Sequence, residues 1–293
     1  MKLPRPNPLK LYYFDKFANV GDGLNKELCE NLLETEVSNQ KIPDADMIAI
    51  GSILDHFLVK RNVKPLEVNA PIHVWGSGLM YDGVGRHSKF VRRFQIHALR
   101  GELTRQAMSD YLGKNIRCPL ADPGLLAALL VPQQEKKYDI GIIPHYHDRA
   151  NECFQKMKLH YPNSVIIDVA DDPISVIKTI GQCKAVLSTS LHGLIIADSF
   201  GVPNHWCECS DLVRGNGYKF RDYYSSFGLD AAAYDLNSGD FPTVQQIQDD
   251  YRVPYRAILR KQYQLLRCFP YKGISAFKIL RLCLKSIRIG LSL

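Results

Sequence analysis

Short apolar runs alternate with amphipathic stretches along most of the chain, and glycine, proline and aspartate punctuate the joins. Leu9–Phe14 reads as a first buried strand, followed by the Asn19-Val-Gly21-Asp22-Gly23 turn and a helix from about Leu24 to Leu33. Met47–Ile50 and Ile72–Trp75 predict short buried strands, each followed at once by glycine, in Gly51-Ser52 and in Gly76-Ser77-Gly78. Phe94–Leu99 predicts another strand, and Leu103–Leu112 a helix closed by Gly113. A polar stretch from Val131 to Lys137 has the composition of a linker. Beyond it come a strand at Tyr138–Ile143 ending in Pro144-His145-Tyr146-His147, a helix at Cys153–Leu159 and a strand at Val165–Val169. A helix at Pro173–Gly181 and a strand at Lys184–Leu187 complete the run. Alternation of this kind predicts an α/β protein with parallel sheets.

Two halves emerge, residues 1–131 and 132–248, with a helical end at 249–293. Their sizes suggest two Rossmann-like domains facing a cleft, the GT-B-like arrangement, with a C-terminal helical tail. Glycine-marked turns at strand ends are where such sheets hold ligands. The richest turn is Ser188-Thr-Ser190-Leu-His192-Gly193, between the last strand and a short helix that ends at Gly201-Val-Pro203. A hydroxyl-rich turn thus delivers a histidine and a glycine to a helix N-terminus, where unpaired N–H groups favour an anion. The plainer alternative is a histidine that only caps the helix.

Composition narrows the class. Hydrophobic residues make up 46% and charged residues 23% of the chain, which fits a globular protein and excludes a disordered one. Residues 1–10 hold three prolines and two lysines without an apolar core, so no secretory signal is expected. Eight scattered cysteines, mostly inside apolar runs, suit reduced thiols in a cytoplasmic protein. His205-Trp-Cys207-Glu-Cys209 has no second cluster at a suitable spacing, so no metal is expected. The net charge of +7 is local: residues 252–293 carry ten Lys or Arg and no acid, whereas the rest has 27 basic against 30 acidic residues. That argues against a nucleic-acid groove on the body and for one charged terminal element.

Arg100-Gly101-Glu102-Leu103-Thr104-Arg105 joins a strand to a helix. Its guanidinium groups suit bidentate contact with phosphate or carboxylate, or else pair with Glu102 or Asp110 on the surface. Asp22 reads as a helix cap, or as a base or acceptor for a sugar hydroxyl. Asp122-Pro123 reads as a turn that stops strand pairing. The chain has no G-x-G-x-x-G, Walker lysine, G-x-S-x-G or H-E-x-x-H.

Together the Asn-x-Gly-Asp loop, Trp75-Gly-Ser-Gly78, Arg100-Gly-x-Leu-Thr-Arg105, Asp122-Pro123 and the Ser188–Pro203 run resemble the polysaccharide pyruvyl transferase family. Their order and approximate spacing match from about Leu11 to Gly228, and Lys219-Phe-Arg-Asp222-Tyr-Tyr224 resembles a segment of the ketal-forming branch. The resemblance implies pyruvate transfer from phosphoenolpyruvate to a glycan, usually as a cyclic ketal across two hydroxyls of one sugar. It implies no cofactor beyond the donor substrate. It puts the donor at Arg100, Arg105, Ser190, Gly193 and His192, the acceptor at Asn19, Gly21 and Ser77, and proton transfer at His192 and Asp22. Many members carry arginine two residues before the histidine, where this chain has Ser190. Arg214, Lys219 and His145 are the candidates to supply the missing cation. Two rivals stay open: a GT-B nucleotide-sugar glycosyltransferase, and a non-catalytic glycan-binding descendant.

The tail adds a location. Lys278, Arg281, Lys285 and Arg288 would form one stripe of a helix, with Leu280, Leu284, Ile287 and Leu291 opposite, although Leu282 and Ile289 intrude on the basic side. The expectation is that residues 249–268 cross back to the first half, and that 273–293 lies on an anionic membrane surface near a lipid-linked acceptor. The alternative is a closing helix packed on the body.

Overall fold

The computed structural model describes residues 2–4, 7–58, 66–82, 90–272 and 274–290. In the first half the strands are β1 (Leu9–Leu11), β2 (Val37–Asn39), β3 (Met47–Ile48), β4 (Leu66–Glu67), β5 (Ile72–Trp75), β6 (Phe90–Val91) and β7 (Phe94–Ala98). Five of them form a parallel sheet in the order β2-β1-β3-β5-β7, with β4 and β6 as a separate pair. The second half contributes β8 (Tyr138–Ile143), β9 (Ser164–Ile166), β10 (Cys183–Ser188), β11 (Asn204–Glu208) and β12 (Tyr234–Asp235). They form a second parallel sheet in the order β12-β11-β10-β8-β9. In both sheets the first strand has the second on one side and the third on the other, the doubly wound order. The direction of winding therefore reverses between β1 and β3 and between β8 and β10.

Strands such as β5 are buried along their whole length, because helices cover both faces of each sheet. The helices are α1 (Val20–Glu27), α2 (Glu102–Leu112), α3 (Cys153–His160), α4 (Pro173–Gly181), α5 (Leu191–Phe200), α6 (Tyr218–Ser225), α7 (Val244–Asp250), α8 (Tyr255–Cys268) and α9 (Ala276–Gly290). A tight 3-10 segment, Pro123–Leu130, packs against α1 and α5. One apolar core therefore joins the two sheets, with Leu9, Leu11 and Trp75 from the first, Ile143 and Val186 from the second, and Leu125 and Leu126 between them. Smaller cores cover the outer faces, around Ile72, Val74 and Met108 on one side and Ile140, Met157 and Leu187 on the other.

The first helix starts at Val20 and not near Leu24, because the Asn19 side chain caps it by accepting from the Gly21 N–H at 2.9 Å. At the other end α8 returns to the first half. The Trp75 indole donates to the Leu265 carbonyl at 3.1 Å, Gln262 donates to the Leu125 carbonyl, and Lys261 donates to Leu120 and Ser226. Then α9 packs on α8 through Ile279, Leu282, Ser286 and Ile289. Leu282 and Ile289, which interrupt the basic stripe in sequence, are thus the anchors. The four basic residues do not all face outward: Lys285 donates to the Leu129 carbonyl and Lys278 pairs with Glu34, while Arg281 and Arg288 are exposed. Gly273 and Leu291 lie outside the described residues.

All eight cysteines are free thiols. Among the described residues no three His, Cys, Asp or Glu side chains are grouped to hold a metal ion. None of the described helices is long and apolar enough to cross a membrane.

Candidate active site

The loops after β1, β3, β8, β10 and β11 converge on a cavity of about 230 Å³. Its walls therefore come from the winding-reversal points of both sheets, where open α/β sheets place ligands. Because Asn19 occupies the cap, Asp22 is left in the first turn of α1 and lines the cavity. Burial raises its carboxyl to about 7; the Lys219 charge opposes the shift and Asp15 adds to it.

On the opposite wall, the Ser188 hydroxyl donates to the Ile143 carbonyl and accepts from the Ser190 N–H at 3.0 Å. Thr189 accepts from the His145 N–H at 2.8 Å. These bonds tie the hydroxyl-rich turn to the end of β8 and deliver Ser190, His192 and His145 to the same space. A Cβ on Gly21 would stand 1.9 Å from His192 Nδ1, so α1 can approach the ring this closely only with glycine there. His192 is held neutral: burial lowers its pKa to about 3, aided by the charges of Lys219 and Arg100. His145 is also lowered to about 3, by burial and then by Lys219, His147 and His192.

Lys219 is the buried cation on the wall, which exposed Arg214 also lines. It sits in the first turn of α6 with 8% of its surface exposed, and it lines the cavity. Its ammonium group lies 5.3 Å from the Phe220 ring centre, makes no hydrogen bond or ion pair with a described residue and keeps some accessible surface at the cavity. Burial, with the Arg100 charge, pulls it down to about 8, against the pull of Asp148 and Asp22. A buried lysine left unpaired is costly unless an anion joins it.

Part of the cavity wall is aromatic. Phe14 and Tyr146 line it, and Tyr146 lies between the His145 and His147 rings at 4.3 and 4.2 Å. Phe17, 59% exposed, stacks on Tyr146 at 6.0 Å and 22°.

Of the residues expected at the site, Asn19, Asp22, His145, Ser190, His192, Arg214 and Lys219 meet at this cavity. Five others do not line it. Arg100 is fully buried; it donates to Asp222 at 2.8 Å, to the Ser52 hydroxyl and to the Leu79 carbonyl, so its guanidinium is committed to the protein. Gly78 lies flat against it, since a Cβ there would come within 2.3 Å of its central carbon. Asp222 also accepts from the Thr104 N–H and hydroxyl, so the Arg100 lock fixes α6, and Lys219 with it, to α2. Arg105 pairs with Glu102 on the outer side of α2, the surface alternative. Ser77 is buried and donates to the Gly51 carbonyl at 2.9 Å. Gly193 packs on Ser188 and Ile143, and Gly21 packs on the histidine.

Sequence reading missed the wall residues Phe14, Ser52, His56, Met80, Tyr146 and His147. Ser52 and His147 stood in strand-end turns already marked as ligand-facing. Asp222 stood in a segment that resembles the family, but its pairing with Arg100 carried no signal, because the two lie 122 residues apart.

The family model for polysaccharide pyruvyl transferase matches residues 3–211. Uncharacterized protein L143 of Acanthamoeba polyphaga mimivirus is 29% identical over 231 residues, covering 76% of this chain and 76% of that protein. The Succinoglycan biosynthesis protein ExoV of Rhizobium meliloti (strain 1021) is 26% identical over 228 residues, covering 75% of this chain and 66% of that protein. With a match that runs from β1 through β11, short only of Arg214 and Lys219 among the cavity residues, the chain belongs to the polysaccharide pyruvyl transferase family.

Proposed function

We propose that this chain transfers the pyruvyl group of phosphoenolpyruvate to a sugar of a polysaccharide or lipid-linked glycan, forming a cyclic ketal. The observation that carries this reading is the buried, unpaired Lys219 ammonium in a cavity that also holds Ser190, Arg214 and two neutral histidines. Phosphoenolpyruvate is anionic at both ends and needs such a cation. The cavity, at about 230 Å³, is below the roughly 300–1,000 Å³ that holds drug-sized ligands, which favours a small anion over a nucleotide sugar. The shared strand order of the two sheets supports a GT-B-like reading, with halves 1–131 and 132–248 facing the cleft.

In this scheme Lys219 and Arg214 hold the phosphate and carboxylate, with Ser190 as a hydrogen-bond partner in place of arginine. The negative donor raises the pKa of His192, which takes up a proton and passes it to the methylene carbon; the C=C electrons form the new C–H bond. A sugar hydroxyl attacks the resulting cationic carbon and yields its proton to Asp22. Phosphate leaves with the C–O electrons, the neighbouring hydroxyl closes the ketal, and its proton ends on phosphate. No step calls on a metal or a cofactor. The aromatic part of the cavity wall suits the apolar face of the acceptor sugar, beside Asn19 and Asp22. Phosphate release that requires both phosphoenolpyruvate and a glycan acceptor tests the reading; release from a nucleotide sugar instead would replace it.

The tail supports a peripheral site on the cytoplasmic face of a membrane. Phe277, Leu280, Leu284 and Ile287 are 44–76% exposed along one face of α9, beside exposed Arg281 and Arg288. Burying one large apolar side chain is worth roughly 1.5–3 kcal/mol, and anionic headgroups attract the arginines. The full chain should float with phosphatidylserine-containing vesicles, and less so at high salt. The double substitution Leu280→Asp, Leu284→Asp should stay at the bottom of the gradient while keeping the fold. Equal flotation of the two proteins would remove the membrane from the account.

A further inference from the structure

Two enclosed polar atoms have no hydrogen-bond partner: Nε2 of His192, which lines the cavity, and Oδ2 of Asp122, which does not. They face one another at 4.0 Å. Hydrogen bonds close at about 3 Å, so a shift of roughly 1 Å joins them. Leaving both unmade is unfavourable for buried groups, and each is the other's nearest remedy. Asp122 cannot swing away, because its Oδ1 accepts from the Gly124 N–H at 2.8 Å as the cap of the Pro123–Leu130 segment. His192 is equally confined, with α1 pressed against it at Gly21.

We propose that Asp122 is the positioning residue for His192: it keeps the ring hydrogen on Nε2 and leaves Nδ1 as the nitrogen that exchanges a proton with the ligand. This rests on the reading of His192 as the acid of pyruvyl transfer. A buried carboxylate can accept a hydrogen bond but cannot donate one, so it selects the Nε2–H tautomer. When Nδ1 takes up a proton, the imidazolium forms beside a counter-charge that is already in place. When that proton passes to the donor's methylene carbon, the ring returns to its neutral Nε2–H form. Asp122 stays ionised throughout, and no proton crosses to it.

The surrounding charges fit this division of labour. His192 meets the cations Lys219 from α6 and Arg100 after β7, with His145 from the end of β8 beside it, and shares the cavity wall with Asp22 from α1. Asp122 meets Arg100, with Asp222 opposing it, and burial raises its carboxyl to about 6. Without Asp122, the two charges that act most on the His192 ring, Lys219 and Arg100, would both be positive, and the imidazolium would have no counter-ion on its Nε2 side.

Asp122→Asn separates this role from capping, because the amide oxygen can still accept from Gly124 while the NH₂ group points a donor at Nε2. Nitrogen-15 spectra of histidine-labelled protein, with His192→Gln to assign the signal, report the tautomer without any substrate. The expected result is Nε2–H in the wild type and Nδ1–H in Asp122→Asn. Turnover should fall by at least about 100-fold, with phosphoenolpyruvate affinity changed less than about threefold. Nδ1–H in the wild type, an unchanged tautomer in the variant, or near-normal turnover would each overturn the assignment. Absence of pyruvyl transfer by the wild type would instead refute the functional reading, and the tautomer comparison would still decide the pairing.

Discussion

Lys219→Met is expected to weaken phosphoenolpyruvate binding by about 30- to 150-fold while leaving the protein at least as stable as before. The two effects have one cause. Lys219 is buried and makes no hydrogen bond with a described residue, and burial with Arg100 has pulled its ammonium down to about 8. Methionine fills similar space without a charge, so the fold loses an unfavourable group. The donor loses a charge-assisted hydrogen bond, worth about 2–3 kcal/mol. Calorimetric titration and thermal unfolding of the same samples check both halves. Donor affinity within threefold of the wild type would show that Lys219 is not the anion's partner.

Asp22→Asn is expected to lower turnover by about 10²- to 10⁴-fold with donor binding retained, because it removes the group that takes the sugar hydroxyl proton. Its stability effect has a definite sign. The carboxyl stands near 7 in the folded chain against an ordinary 3.8, so the folded state holds a proton that the unfolded state releases. The stabilising contribution is complete below about pH 4 and is lost as pH rises through 7. A move from 3.8 to about 7 corresponds to at most roughly 4 kcal/mol. The variant should therefore gain stability over the wild type progressively between pH 4 and 8, as read by urea unfolding at several pH values. A difference that stays flat with pH would mean that burial does not govern this carboxyl. The wild-type rate should fall below about pH 7 as Asp22 becomes protonated.

The strands and the parallel α/β class were legible because β5, β8 and β10 are short apolar runs bounded by turn residues, the pattern of strands covered on both faces. Asp22 and His192 were legible for a related reason, since each follows a strand end and carries a charge or a titratable ring; Lys219 came in through the resemblance, as a candidate for the cation that Ser190 leaves missing. Arg100 looked equivalent by those criteria and is not. Its position at a strand end was correct, but sequence does not reveal that Asp222, Ser52 and the Leu79 carbonyl converge on it. Position along a strand predicts where a side chain sits, and only packing decides whether its hydrogen bonds are already spent. Ser77 failed in the same way, its hydroxyl taken by the Gly51 carbonyl.

The tail shows the converse. Sequence placed Leu282 and Ile289 as intrusions on a basic face, because a helical projection has no knowledge of which side meets the protein. In the fold they are buried with Ile279, and the outward ridge is Phe277, Leu280, Leu284 and Ile287. Asp122 was read as a turn residue, and its Oδ1 does cap the Pro123–Leu130 segment; the second oxygen, facing His192, is a property of three-dimensional contact alone.

In the proposed reaction phosphoenolpyruvate gives its pyruvyl carbon skeleton to a sugar at the Lys219 cavity. Carbon-13 spectra of phosphoenolpyruvate labelled at C2, incubated with the full chain and a panel of bacterial exopolysaccharide repeat units, follow that carbon directly. The account predicts that C2 moves from the enol to the ketal region in step with phosphate release for at least one acceptor, and that Lys219→Met removes the change. Label that remains in phosphoenolpyruvate with every acceptor, or that appears only as free pyruvate, would contradict it.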